Sequence, residues 1–354
     1  MKLIIRQKKK NEYVSTYRYK QIDEQNGVCA STALICIRGS RFAGKFIPTM
    51  TIADVSTLPE YRRRGLVRQM FTSAHQSARE YGAYISLLHP FSFDFYRKFG
   101  YEKISDTVSA TFELSKIENE EGTKELVLLN EKHYDKVLEL FRKFSTDRNL
   151  MFDRYNISAF LRKKAETYLC FDGDILSGYI VIEKDTEKCK IIINEIVFDS
   201  TKALTALISH LACYKNEFKI AEICDIEPIP EIKVFLEKFE AQFNSRGDLM
   251  ARLLDTEGLL LSYNYPDECG TISFRVEDDL ENVKGSFKVT YGDQKCTVVR
   301  ISDDDEVDIS TTAPALLRLL YGCEGAIDEI DYKGDKSELI RLFPRRTNGL
   351  FEHF

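Results

Sequence analysis

The segment that most restricts how this chain can fold reads Val55-Ser56-Thr57-Leu58-Pro59-Glu60-Tyr61-Arg62-Arg63-Arg64-Gly65-Leu66-Val67-Arg68. Upstream, residues 46–58 are rich in β-branched and apolar types, and Pro59 cuts the run. Downstream, Leu66, Met70, Ala74 and Ala78 recur at near-fourfold spacing, with Val67 and Phe71 on the same flank. A strand therefore feeds a tight turn, and the turn opens an amphipathic helix that stops near Tyr81-Gly82. The first turn of a helix leaves four amides without intrahelical acceptors, and the macrodipole makes that end positive. A diphosphate placed there satisfies both. Gly65 allows close backbone approach, and the three arginines add charge that a phosphate can accept bidentately. The competing reading of the same residues is a solvated basic helix start.

Residues 29–37 and 46–58 flank the turn Arg38-Gly39-Ser40-Arg41-Phe42-Ala43-Gly44 and read as a hairpin. After the helix come a strand at 83–88, a loop at His89-Pro90-Phe91-Ser92, a short helix at 93–98 closed by Gly100, and a strand at 107–114. Alternating strands and helices imply an α/β layer. Residues 117–124 are polar and read as a linker, after which the layout begins again. Helices are expected at 131–144, 157–165 and 201–214, with strands at 166–172, 175–184, 190–198 and 220–226. Here the third strand runs into Asp199-Ser200-Thr201-Lys202, with no arginine- and glycine-rich turn, so this second unit reads as a structural half. Beyond it, alternation at 270–276, 285–291 and 296–301 predicts an antiparallel sheet with helices at 311–321 and 336–343. The expected domains are 1–118, 119–248 and 249–354.

A chain of 354 residues exceeds one ordinary core. With 44% hydrophobic and 30% charged residues it has the make-up of a globular protein, and a net charge of −6 gives no case for nucleic acid while suiting a cationic substrate. The nine cysteines form no C-x-x-C pair and none stands at metal-ligand spacing from a histidine, so no metal is expected. They read as buried, reduced thiols of a cytoplasmic protein. The start, Met1 to Lys10, has no apolar core of a signal peptide, and no run approaches the ~20 apolar residues that span a bilayer, so no membrane is expected.

About thirty residues past the arginine turn stands Phe95-Tyr96-Arg97-Lys98-Phe99-Gly100-Tyr101-Glu102. Together the two segments resemble the GNAT acetyltransferase superfamily over residues 28–114. The first matches its Q/R-x-x-G-x-G/A motif, with Val67 where a small residue is commoner; the second matches its F-Y-x-x-x-G-F/Y segment. The resemblance implies an acetyl-CoA site. The strand through Val55, Ser56 and Thr57 would pair with the pantetheine arm, and the Val55 amide would polarise the thioester carbonyl. The turn Arg62, Arg63, Arg64, Gly65, Leu66, Val67 and Arg68 would hold the pyrophosphate, with Phe91 and Ser92 also contacting the cofactor.

The wider layout looks like the Eis (enhanced intracellular survival) family over nearly the whole chain. The fold class it implies is α/β plus α+β: tandem GNAT folds followed by a sterol-carrier-protein-like C-terminal domain. It also implies hexamers that acetylate aminoglycosides at several amines, with Tyr96 as general acid and the C-terminal carboxylate, here of Phe354, as base. Acyl transfer needs a neutral amine, whose pKa is about 10, and gains from protonation of the departing thiolate. An α-carboxyl pKa of about 3.3–3.7 would have to rise by burial to serve. Tyr96 as a core aromatic and Phe354 as a frayed terminus are the bland alternatives. Glu352, His353 and His89 are spare bases, and Asp54 and Glu102 are candidate contacts for a cationic amine.

The chain departs from the family near its start. Only about forty-five residues precede the strand at Phe46, where the family has further helices walling the acceptor pocket, and residues 8–25 show no helical stripe. Two other functions remain open. One is acetylation of protein lysines. The other is a binding protein whose terminal domain holds an apolar ligand, against which stand the charged sheet positions Arg275, Lys288 and Arg300.

Overall fold

The computed structural model describes residues 1–10, 13–78, 80–118, 125–156 and 165–352. The expected helix at 157–165 lies almost wholly outside them, as do His353 and Phe354. Residues 1–105, 248–348 and 352 belong to one compact unit, and residues 106–247 and 349–351 to a second.

The first unit starts with strands β1 (Lys2–Lys10), β2 (Val14–Ile22), β3 (Cys29–Phe42) and β4 (Lys45–Thr57). They form an antiparallel meander. The absence of a helical stripe in residues 8–25 has a positive cause: Tyr17, Tyr19 and Gln21 alternate on one face of β2. Tyr19 is fully buried, and Tyr17 stacks on Tyr81 at 4.5 Å. β1 lies at the sheet edge, where its lysines discourage further pairing. After the turn comes α1 (Leu66–Ser77), which buries Leu66, Met70, Phe71, Ala74 and His75 against the sheet. Strand β5 (Ile85–Leu88) runs parallel to β4, and α2 (Phe93–Arg97) leads to β6 (Glu102–Glu113).

The second unit repeats this logic. Helix α3 (Tyr134–Ser145) precedes β7 (Ala165–Asp172), β8 (Ile175–Asp185), β9 (Lys190–Phe198), α4 (Thr201–Ser209), β10 (Ile220–Ile223) and α5 (Glu231–Glu237). β7, β8 and β9 are antiparallel neighbours, whereas β9 and β10 are parallel. Its core is a continuous aliphatic and aromatic cluster that includes Phe141, Ile180, Ile193, Leu207 and Leu236.

Strand β11 (Gln242–Leu253) brings the chain back, and its last residues pair antiparallel with β5, Met250 opposite Leu88 and Leu253 opposite Ile85. Residues 250–253 therefore extend the sheet of the first unit beyond β5. Then follow α6 (Thr256–Ser262), β12 (Gly270–Glu277), β13 (Gly285–Gly292), β14 (Lys295–Ile301), β15 (Ile309–Thr312), α7 (Ala313–Leu320) and α8 (Lys336–Leu342). β12 lies between antiparallel β13 and parallel β15, with β14 outside β13. The expected antiparallel sheet is thus present, joined by a parallel neighbour that alternation alone does not reveal.

The cysteines correct one expectation. All nine are free and Cys170 is buried, but Cys189, Cys213 and Cys269 are exposed. Cys189 sits in the turn before β9 with φ of 51°, and Cys213 in the last turn after α4. Turns bring small residues to the surface whatever their apolar character.

Candidate active site

Strands β4 and β5 part company. Their parallel pairing runs from Thr49 opposite Ile85 to Thr51 opposite Leu87, and β5 ends at Leu88 while β4 continues to Thr57. The β5-facing edge of residues 52–57 is therefore left without a strand partner, a site for an extended ligand that offers amides of its own. On its other side β4 carries a bulge. Thr32 faces Ser56 and Leu34 faces Ala53, so Asp54 and Val55 oppose Ala33 alone. Asp54 takes the left-handed φ of 48° that this extra residue demands, and the bulge re-aims the backbone at Val55. The Asp54 carboxylate meets Arg18 at 3.1 Å, so it is already paired.

The turn after β4 is braced by the protein itself. Tyr61 is 7% exposed and donates to Asp23 at 2.8 Å while accepting from Asn26 at 3.0 Å. That hydrogen bond, with one from the Gln25 amide, lowers the Asp23 pKa. Arg62 donates to the Thr57 carbonyl at 3.3 Å, and Arg64 to the Glu60 carbonyl at 2.9 Å while lying over the Tyr61 ring. Arg68 lies over Phe99. Ser31 caps the strand end, donating to the Ser56 carbonyl at 2.8 Å and meeting the Thr57 hydroxyl at 2.8 Å. Arg62 and Arg64 thus brace the loop with their side chains, while Arg63 is exposed and, among the described residues, makes no such bond.

What the bracing holds in place is a row of amides. Arg63 and Gly65 both adopt left-handed φ, 62° and 73°, which curls successive N–H groups toward a common point. Gly65 is the N-cap of α1 and supplies no side-chain cap. The first helical bond runs from the Gln69 amide to the Gly65 carbonyl at 3.1 Å. Among the described residues the amides of Arg63, Arg64, Gly65, Leu66, Val67 and Arg68 meet no protein acceptor. A Cβ built on Gly65 would meet nothing within 4 Å, so the space beside that residue is open. Such a helix start takes an anion.

Tyr96 lies on α2, whose N-cap Ser92 accepts from the Phe95 amide at 3.3 Å. It is 3% exposed, with Phe71, Phe91, Phe95 and Tyr101 around its ring. Burial alone pushes its phenol up to about 12, so it holds its proton throughout the neutral range. Among the described residues its hydroxyl meets no protein partner. Phe91, in contrast, is 72% exposed, an uncovered aromatic between the end of β5 and α2. Glu102 is claimed by Arg97 through two bonds of 2.9 and 2.8 Å. His89 is half-buried just past the end of β5.

Sequence reasoning missed a polar cluster behind Tyr96. Tyr101 meets Ser86 at 2.6 Å and His75 at 3.1 Å. Burial drives the His75 pKa down to about 3, with the nearby Arg252 charge adding to it. Arg252 on β11 pairs with Asp278 at 3.0 Å and with Asp279. The one available signal was an arginine set into an apolar stretch, Leu249 to Leu254.

Residues 5–104 match the model of the acetyltransferase (GNAT) domain. No curated protein matches the chain. Solved structures give fold-level likeness over nearly the full length. A GCN5-related N-acetyltransferase from Anabaena variabilis is 19% identical, with a TM-score of 0.81 over 95% of this chain and 89% of that one. A probable N-acyltransferase from Enterococcus faecalis is 18% identical, with a TM-score of 0.76 over 97% and 90%. Eis1 from Mycobacterium abscessus is also 18% identical, with a TM-score of 0.72 over 95% and 90%. The amide cradle, the parted strands and the matched residues describe one object: the chain carries a GNAT domain and is an acetyltransferase.

Proposed function

We propose that this enzyme moves an acetyl group from acetyl-CoA to a primary amine of a small polycation, aminoglycosides being the expected class. The observation that carries the cofactor half is the row of acceptor-free amides from Arg63 to Arg68 beside the unpaired edge of β4. The amides and the α1 dipole would hold the diphosphate, with Arg63 the arginine left to join them. The edge of Val55, Ser56 and Thr57 would run alongside the pantetheine amides, and Phe91 and Ser92 would flank it. The Val55 amide would stabilise negative charge on the thioester oxygen as the amine attacks.

Tyr96 faces the leaving group in this scheme. A phenol pushed up to about 12 is a weaker acid than a thiol of pKa about 8.5, so it hydrogen-bonds to the departing sulfur first. The sulfur takes the phenol proton as the C–S bond breaks, and the protonated nitrogen of the tetrahedral intermediate gives its own proton to a base. Transfer from that base through solvent restores the phenol. The base for that proton is the α-carboxylate of Phe354. The chain end leading to it is held: Phe351 is 5% exposed and stacks on Phe144 at 6.3 Å.

The finer family assignment follows the Eis resemblance. It makes residues 119–248 a second GNAT domain without catalysis and residues 249–354 a sterol-carrier-like domain, in a hexamer. One observation favours a second acceptor class. Among the described residues, strands and turns but no helices precede β4. An acceptor pocket without those helical walls suits a lysine on a protein surface. A thiol-release assay with acetyl-CoA and a panel of amines separates the two. Turnover on tobramycin-like compounds supports the polycation reading. Turnover only on lysine peptides replaces it with the second, and no turnover on any amine removes both.

A further inference from the structure

The second unit provides a control for the glycine that closes the Tyr96 segment. Phe95-Tyr96-Arg97-Lys98-Phe99-Gly100-Tyr101 has a counterpart in Phe235-Leu236-Glu237-Lys238-Phe239-Glu240-Ala241. In the first, amides of Phe99 and Tyr101 donate to the Tyr96 carbonyl at 2.9 and 3.4 Å, and Gly100 to Arg97 at 2.9 Å. In the second, Phe239 and Ala241 donate to the Leu236 carbonyl at 3.0 and 3.3 Å, and Glu240 to Glu237 at 3.0 Å. The turns match bond for bond. Glu240 has φ of 53° and Gly100 of 77°. Left-handed backbone is therefore not what makes residue 100 a glycine, because the same turn forms around a glutamate.

The difference lies in what covers the turn. A Cβ on Gly100 would stand 1.9 Å from the Arg252 Nη1 and 2.6 Å from its Cζ, so the guanidinium lies directly against the glycine backbone. Arg252 is 2% exposed and is held by Asp278, itself 6% exposed, and by Asp279. Along the sheet Arg252 faces Ser86 of β5, and directly opposed residues of an antiparallel pair project to the same side. Ser86 in turn holds the Tyr101 hydroxyl. The backbone that carries Tyr96 is thus gripped at two adjoining points, Gly100 by Arg252 and Tyr101 by Ser86.

We propose that Arg252, far outside the matched residues 5–104, is a positioning residue for the acetyl-transfer step. Its planar guanidinium, clamped by the two aspartates, fixes the turn whose carbonyl anchor is Tyr96, and so fixes the height of the phenol in the slot. Lysine keeps the charge but not the flat surface that Gly100 packs against. The inference rests on Tyr96 being the acid, and the test must separate the two.

The experiment is steady-state kinetics on the full chain for Arg252→Lys, Gly100→Ala, the double variant and Tyr96→Phe, with acetyl-CoA affinity by calorimetry. A displaced phenol should cost about 10-fold to 100-fold in kcat for Arg252→Lys, with acetyl-CoA Kd unchanged within about 2-fold. Gly100→Ala must push the guanidinium aside, so the double variant should lose less than the product of the single losses. A folded Arg252→Lys enzyme with wild-type kcat, beside a disabled Tyr96→Phe, overturns the inference alone. A fully active Tyr96→Phe overturns the proposed acid itself. If Arg252→Lys does not fold, the neutral pair Arg252→Met with Asp278→Asn leaves no buried charge unpaired and carries the same prediction.

Discussion

Two helix starts in this chain follow the same arrangement of strands and end differently. β4 parts from β5 after Thr51, and β9 parts from β10 after Ile193, running on to Phe198. Each strand then turns into a helix. At α4 the N-cap is Ser200, whose hydroxyl accepts from the Ala203 amide at 3.2 Å. At α1 the N-cap is Gly65 in a left-handed conformation with no side chain to offer. Beside α4 lies a cavity of about 610 Å³ whose lining carries Asp147, Asp199 and Glu231 and, in equal number, Lys143, Arg148 and Lys238, with Arg148 paired to Glu231. Leu236 stands where the first unit has Tyr96. One helix start has a side-chain acceptor for its Ala203 amide, and the other has no side-chain cap. Two units can thus share a strand-to-helix arrangement and still differ in what the helix start offers a ligand.

Removing the proposed acid should have the largest effect. Tyr96→Phe should lower kcat by ~10²–10⁴ with acetyl-CoA affinity nearly unchanged, read by single-turnover kinetics. An equal loss from Leu236→Ala would erase the contrast between the units. Next comes the chain end. Deleting Phe354, or extending the C-terminus with a tag, should cut turnover by ~10² or more while the melting temperature holds. Full activity in the tagged protein would move the base to another group.

Gly65→Asp sets a carboxylate and a Cβ into the amide cradle and should weaken acetyl-CoA binding by ~10-fold to 100-fold in calorimetry. Acid should loosen the fold through His75. Its folded pKa of about 3 lies below the unfolded value near 6.5, so below that pH the unfolded chain binds protons that the folded one refuses. The melting temperature should therefore fall as pH drops from 6.5 toward 3, less steeply in His75→Asn. Smallest is Ser200→Ala. Loss of that cap should cost about 1 kcal/mol of stability and leave acetyl-CoA affinity untouched.

The sequence-level reading succeeded where the physics is local. The strand, turn and helix from Phe46 to Ser77 announce themselves by alternation, a proline and fourfold spacing, and β9 follows its expected bounds of 190–198. The Gly65 cradle and the position of Tyr96 on a short helix were legible for the same reason. Long-range pairing was not. Nothing local in Leu249 to Leu254 tells that β11 lies beside β5, so neither that pairing nor the seat of Arg252 against Gly100 could be anticipated. Where each arginine of the turn points was not legible, because a charged side chain reads the same whether it faces a ligand or, like Arg62 and Arg64, a carbonyl of its own loop. β2 was legible in principle, through the alternation of Tyr17, Tyr19 and Gln21.

Calorimetric titration of the folded chain with acetyl-CoA puts the contrast between the two helix starts to its most direct test. A self-capped α4 and an uncapped α1 require saturation at one equivalent per chain, lost in Gly65→Asp and retained in Ser200→Ala. Heats showing no binding, or two equivalents per chain, would contradict it.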